Sequence, residues 1–161
     1  MPENLLKNEM KYKIFDSASL LTALEEFFKR NAGRFNLAIA FLFGSRAGGF
    51  PRKDSDIDIG VIFNDQTLSE ESIFLKITDM SLDLIELTKL DVNVIPVYPD
   101  FRKPLLYYNI IIAGKPLYIK DFNQYVEIKN EAIFQMEDFN IFGKKWQTKV
   151  ARKKLEEIAG A

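Results

Sequence analysis

The chain has 161 residues, 47% of them hydrophobic and 28% charged, enough to bury one core and stay soluble. With 22 basic against 23 acidic residues the net charge is −1, which argues against a protein whose main task is gripping duplex nucleic acid. Cysteine and histidine are both absent, so disulfides, thiolate metal sites, Ser-His-Asp triads and His-ligated zinc are excluded, and acid–base chemistry must run on carboxylates, lysines or tyrosines.

The first fifteen residues are mixed; the start, Met1-Pro2-Glu3-Asn4-Leu5, lacks a signal peptide's basic and apolar regions, and no apolar run could span a bilayer. The default expectation is a cytoplasmic protein. A helix is expected from about Ser17, capped by Asp16 or Ser17, with Leu20, Leu21, Leu24, Phe27 and Phe28 as its apolar stripe and Asn31 to Gly33 as its end. Leu37 to Phe43 is short, continuous and apolar, and reads as a buried strand; Ile57 to Phe63 reads as its partner, ended by Asn64-Asp65.

A second helix follows, capped by Ser69 and carrying Glu70 and Glu71 in its first turn, with Ile73, Phe74, Ile77, Met80, Ser81, Leu84 and Ile85 on its inner face. Residues 90–97 read as a third strand whose Pro96 belongs at an edge or outside the ladder. Pro104 opens a helix through Ile112, stopped by Gly114, and Leu117-Tyr118-Ile119 reads as a short extra strand. From Asp121 onward the chain is mainly helical; Phe134, Phe139, Phe142 and Trp146 are expected to pack this last helix onto the body, or to form a partner surface if it stands free. Its basic stretch, from Lys144 to Lys154, reads as a solvated helix face. The fold class is therefore α/β (α+β), a small mixed sheet covered by helices, with a domain over 1–120 and a helical extension over 121–161 packed on it.

The chemistry is concentrated in residues 44–58. Gly44-Ser45 ends one apolar run, a polar loop follows, and Asp56 and Asp58 alternate at the head of the next, which puts both carboxylates on one face of a strand. Two such carboxylates repel each other unless a divalent cation sits between them, and Mg²⁺ takes oxygen ligands while keeping phosphate oxygens in its remaining positions. Gly44 lets the backbone approach a phosphate closely, and Ser45 offers a hydroxyl to a nucleoside triphosphate. Arg46, Arg52 and Lys53 lie in the same loop, where exposed charge is the commoner explanation and contact with triphosphate or an acidic partner the other. Asp54 reads as a loop residue, with assistance to a metal through water as the alternative.

The spacing G-S-x10-D-x-D, met by Gly44, Ser45, Asp56 and Asp58, resembles that of the DNA polymerase β-like nucleotidyltransferases, and within them the minimal, stand-alone members. The resemblance covers about residues 18–120. Asp91, heading Asp91-Val92-Asn93-Val94, takes the position of that family's third acidic residue, with Asp83, Glu86 and Asp100 as nearby competitors. Gly114-Lys115-Pro116-Leu117-Tyr118 is similar to its G-x-x-L-Y ending.

The resemblance implies that Asp56, Asp58 and Asp91 bind two Mg²⁺ ions, with Mn²⁺ not separated by oxygen ligands, and that Gly44 and Ser45 hold the triphosphate of ATP. It implies transfer of AMP to a hydroxyl with release of pyrophosphate, Asp91 also being a candidate general base. Minimal members often accompany a HEPN-domain protein as the antitoxin of a toxin–antitoxin pair, which implies a tyrosine of that toxin as acceptor. Two rival readings stand beside this one: a non-catalytic, nucleotide-binding scaffold that neutralises a partner, and a transferase acting on a small-molecule hydroxyl. Nucleotide preference and self-association are left open.

Overall fold

The computed structural model describes residues 16–48, 51–52 and 54–160. The N-terminal reading, Gly49, Phe50 and Lys53 lie outside them. Helix α1 (Ser17–Phe35) starts where the Asp16 side chain accepts the Ser19 backbone N–H, and ends at Asn36 in the left-handed conformation, φ 58°. It runs past Gly33, where the sequence suggested a stop. The left-handed residue that ends it is an asparagine, one of the few side chains that tolerate this conformation.

Strand β1 (Leu37–Phe43) and strand β2 (Ile57–Phe63) occur over the expected residues and pair antiparallel. Asn64 fastens their far end: its N–H donates to the Asn36 carbonyl at 2.9 Å, and its side-chain amide donates to the Leu37 carbonyl at 3.0 Å. Helix α2 (Glu70–Thr88), capped by Ser69, carries the chain to strand β3 (Val92–Pro96), which lies parallel to β2. Helix α3 (Pro104–Tyr108) widens into a π-helical turn over Asn109–Ala113 before strand β4 (Lys115–Ile119) pairs antiparallel with the other side of β1. The sheet order is β3-β2-β1-β4. Pro96 and Pro116 thus both stand on edge strands, where a missing N–H costs no inner ladder bond.

Alternation along the strands divides the core in two. Leu42, Ile57, Ile59, Val61 and Val94 face α1 and α2, which contribute Leu24, Phe28, Met80 and Leu84. Ile39, Phe41, Phe43 and Ile62 face the other way, onto Tyr107, Ile110 and Ile111. Helix α2 rests on a narrower stripe than expected, with Ile73, Met80, Leu84 and Thr88 buried and Ile77 partly buried against the core, leaving Phe74 and Ile85 exposed. Thr88 is buried without cost to its hydroxyl, which donates to the Leu84 carbonyl at 2.8 Å.

Helix α4 (Phe122–Ala159) is one unbroken element, about 57 Å long at 1.5 Å per residue. Its first turns pack on the second core through Tyr125, Ile128 and Ala132. Beyond Ala132 no described residue of the helix is buried, and Phe134, Phe139, Phe142 and Trp146 are all exposed, Phe142 to 72%. The expectation that these four aromatics pack onto the body is therefore corrected. Among the described residues no helix is long and apolar enough to cross a membrane.

Candidate active site

The β1–β2 register brings the motif halves together. Phe43, the last residue of β1, pairs with Asp58, so the chain leaving β1 turns beside that carboxylate. It does so in a 3-10 turn over Gly44–Arg46, closed by the Ala47 and Gly48 N–H groups donating to the Gly44 carbonyl at 3.2 and 3.3 Å. Gly44 has φ +74°, and a Cβ on it would collide with Oδ2 of Asp58. Glycine is thus required here twice, for its backbone conformation and for the space its missing side chain leaves to the aspartate.

On β2, Ile57 and Ile59 point into the core beneath α1 and α2. Strand alternation sends Asp56 and Asp58 to the opposite face, where Asp56 is exposed and Asp58 half-buried. Ser45, Arg52, Asp54, Ser55, Asp56 and Asp58 line an open cavity of about 350 Å³. The loop that rims it is tied to itself: the Ser55 N–H donates to the Arg52 carbonyl at 3.1 Å, and the Arg52 N–H donates to the Ser55 hydroxyl at 3.0 Å. Arg46 reaches across from the first half of the motif, its Nε donating to the Ser55 carbonyl at 2.8 Å. Of the loop cations, Arg46 thus spends a donor on loop geometry while Arg52 lines the cavity.

Asp91 stands just before β3. Its carbonyl accepts the Ile57 N–H at 2.8 Å, and the parallel register carries it level with Asp56; its side chain is exposed and is not among those lining the cavity. Level with Asp58 is Asn93, whose Nδ2 donates to Asp58 Oδ1 at 3.1 Å. Sequence reading passed over Asn93, although its place two residues after Asp91 in an extended segment puts both on the same face. Among the described residues no three acidic or imidazole side chains come close enough to hold an ion as they stand. The donor set nonetheless suits a hard divalent cation, since Asp56 and Asp58 offer only carboxylate oxygens on one strand face beside a polar cavity.

Comparison with known proteins gives the arrangement a family. Residues 22–123 match the family model described as "Polymerase beta, Nucleotidyltransferase". The chain belongs to this family. Its sheet, its Gly-Ser turn and its Asp-x-Asp strand all lie inside the matched segment, and the family's activity is nucleotidyl transfer. Among curated proteins no sequence matches.

Solved structures share the fold. A toxin–antitoxin complex with AMP-PNP contains a chain that superposes with a TM-score of 0.63 at 19% identity, covering 79% of this chain and 98% of the other. The complex of a tri-AMPylated Shewanella oneidensis HEPN toxin with an MNT antitoxin matches with a TM-score of 0.59 at 17% identity, covering 81% and 98%. The MntA–HepT toxin–antitoxin matches at 0.59 and 18%, covering 81% and 97%. At these identities the likeness is one of fold.

Proposed function

We propose that this nucleotidyltransferase uses ATP and Mg²⁺ to place AMP on a tyrosine hydroxyl of a HEPN-domain toxin, and so acts as that toxin's antitoxin. The observation that carries the reading is the packing of the Gly44 turn against Asp58, at the mouth of the cavity that Ser45, Asp56 and Asp58 share. The fold shared with chains of toxin–antitoxin complexes, one with a tri-AMPylated HEPN toxin and one with AMP-PNP, supports this choice of acceptor and nucleotide. In this reading the transferase unit spans 1–120 and residues 121–161 are its helical extension.

Asp56 and Asp58 would hold the divalent cation, with Asp91 completing the set; Mn²⁺ would serve the same oxygens. When bound, the cation neutralises charge on the triphosphate and on the departing pyrophosphate. Gly44 admits a phosphate close to the backbone, and Ser45 donates its hydroxyl to a β- or γ-phosphate oxygen. The acceptor oxygen attacks the α-phosphorus, the bond from that phosphorus to the bridging oxygen breaks, and pyrophosphate leaves. Asp91 takes the hydroxyl proton, a role that falls to a carboxylate in a chain without histidine.

The test is an incubation of the purified chain with Mg²⁺, α-phosphate-labelled ATP and the HEPN protein of the adjacent gene. Labelled tyrosine and pyrophosphate are expected from wild type and neither from Asp58→Asn. No label with either protein, together with complex formation indifferent to the substitution, would replace the enzyme by a binding module.

A further inference from the structure

Asp58 is hydrogen-bonded at one oxygen and packed beside the Gly-Ser turn at the other. From β3, the register partner Asn93 donates its Nδ2–H to Oδ1 at 3.1 Å. In the turn after β1, Oδ2 occupies the space that a Cβ on Gly44 would need. A half-buried aspartate at the head of a strand would otherwise rotate about χ1 and χ2 among several orientations. With Oδ1 tied sideways along the sheet, the plane of the carboxylate is set and Oδ2 is turned toward the Gly-Ser turn.

The chemistry of the donor matters as much as its place. An amide N–H orients a carboxylate without cancelling its charge, whereas a lysine or arginine there would compete with any cation. A third carboxylate at the same level would repel Asp58 and leave it unoriented until a cation arrived. We infer that Asn93 is a positioning residue for Asp58, presenting one oxygen to the cation and nucleotide while holding the other. The inference rests on the nucleotidyltransferase reading of the Asp56–Asp58 site and adds to it a residue outside the motif.

The experiment titrates Mn²⁺ into wild type, Asp58→Asn, Asn93→Ala and Asn93→Ser, following the free-ion electron paramagnetic resonance signal, with melting curves recorded in EDTA. Asn93→Ala should weaken Mn²⁺ binding about 10- to 100-fold at an unchanged melting temperature, and Asn93→Ser, which keeps a shorter donor, should recover part of the loss. In the transfer assay Asn93→Ala should lower kcat by a similar factor while KM for ATP stays within about twofold. Wild-type Mn²⁺ affinity in Asn93→Ala, with affinity lost in Asp58→Asn, overturns the role of Asn93 and leaves the site reading standing. Unaltered affinity in Asp58→Asn overturns both. Equal weakening in the Ala and Ser variants with a lowered melting temperature would assign Asn93 to the fold alone.

Discussion

Gly44 lies against Oδ2 of Asp58 so closely that no side chain fits between the backbone of the turn and the carboxylate. Replacing it with alanine asks for two concessions. A non-glycine residue at φ +74° costs about 1–2 kcal/mol, and the new methyl must push the aspartate aside. Gly44→Ala should therefore lower the unfolding free energy by about that amount and reduce nucleotidyl transfer about 100-fold, since displacements of an ångström at a reacting centre are that costly. Urea unfolding and a pyrophosphate-release assay read the two effects separately; activity within threefold of wild type would contradict the geometry.

Asp58→Asn keeps the size of the side chain and removes its charge. Transfer should fall at least about 100-fold, as for loss of one preorganised charged group at a developing phosphate charge. The protein should fold as before. In EDTA its melting temperature should equal or slightly exceed that of wild type, because one of two like charges sharing a strand face has gone. Adding Mg²⁺ should raise the melting temperature of wild type and leave that of the variant unmoved.

Tyr107 supplies a pH dependence. It is 1% exposed, and burial pushes its hydroxyl above the ordinary tyrosine value, while its oxygen accepts the Tyr98 N–H at 3.3 Å. A group whose pKa is raised by folding contributes stability that is whole below its unfolded value and is lost as pH climbs through the folded one. Denaturant unfolding between about pH 8 and 11 should therefore show wild type weakening from about pH 10 upward. Tyr107→Phe should flatten that slope, and at neutral pH it should cost about 0.5–1.5 kcal/mol for the abandoned hydrogen bond. Equal alkaline slopes in the two proteins would exclude Tyr107 as the titrating group.

The distal part of α4 should be dispensable for the body. Its described residues beyond Ala132 are exposed or half-exposed, and the core is closed without them. Ending the chain after Glu137 should move the cooperative melting temperature by no more than about 2 °C, the scale of surface changes. Circular dichroism should lose the helix signal of the missing turns and little else. A fall of more than about 5 °C would mean that the distal helix stabilises the body after all.

The sequence was most readable where a segment is buried on both sides. Residues 37–43 and 57–63 carry no competing signal: every position of the first is apolar, and the second departs only at Asp58 and Gly60. Helix ends were harder. Gly33 looked like a stop, yet the left-handed residues that end α1 and α2 are Asn36 and Lys89. The inner face of α2 was overdrawn because hydrophobicity alone does not tell how wide a stripe the sheet will cover, and Phe74 fell outside it.

The π-helical turn at Asn109–Ala113 has no local signature, since it answers to packing: Ile110 comes so close to Gly60 of β2 that a Cβ there would collide with it. The site divided in the same way. The Gly44 and Asp58 contact follows from spacing and strand register, whereas Asn93 depends on which strand lies beside β2, and that is a property of the sheet order rather than of any motif.

Trp146 is the chain's single tryptophan, and it sits on the overhanging stretch of α4 with 60% of its surface in water. The native indole therefore already emits as a solvated fluorophore, and melting the sheet will scarcely change its colour. Optical unfolding curves should be followed instead through far-ultraviolet ellipticity or tyrosine absorbance. The same indole becomes a background-free beacon for the outer helix, shifting to the blue only when something dry settles over it.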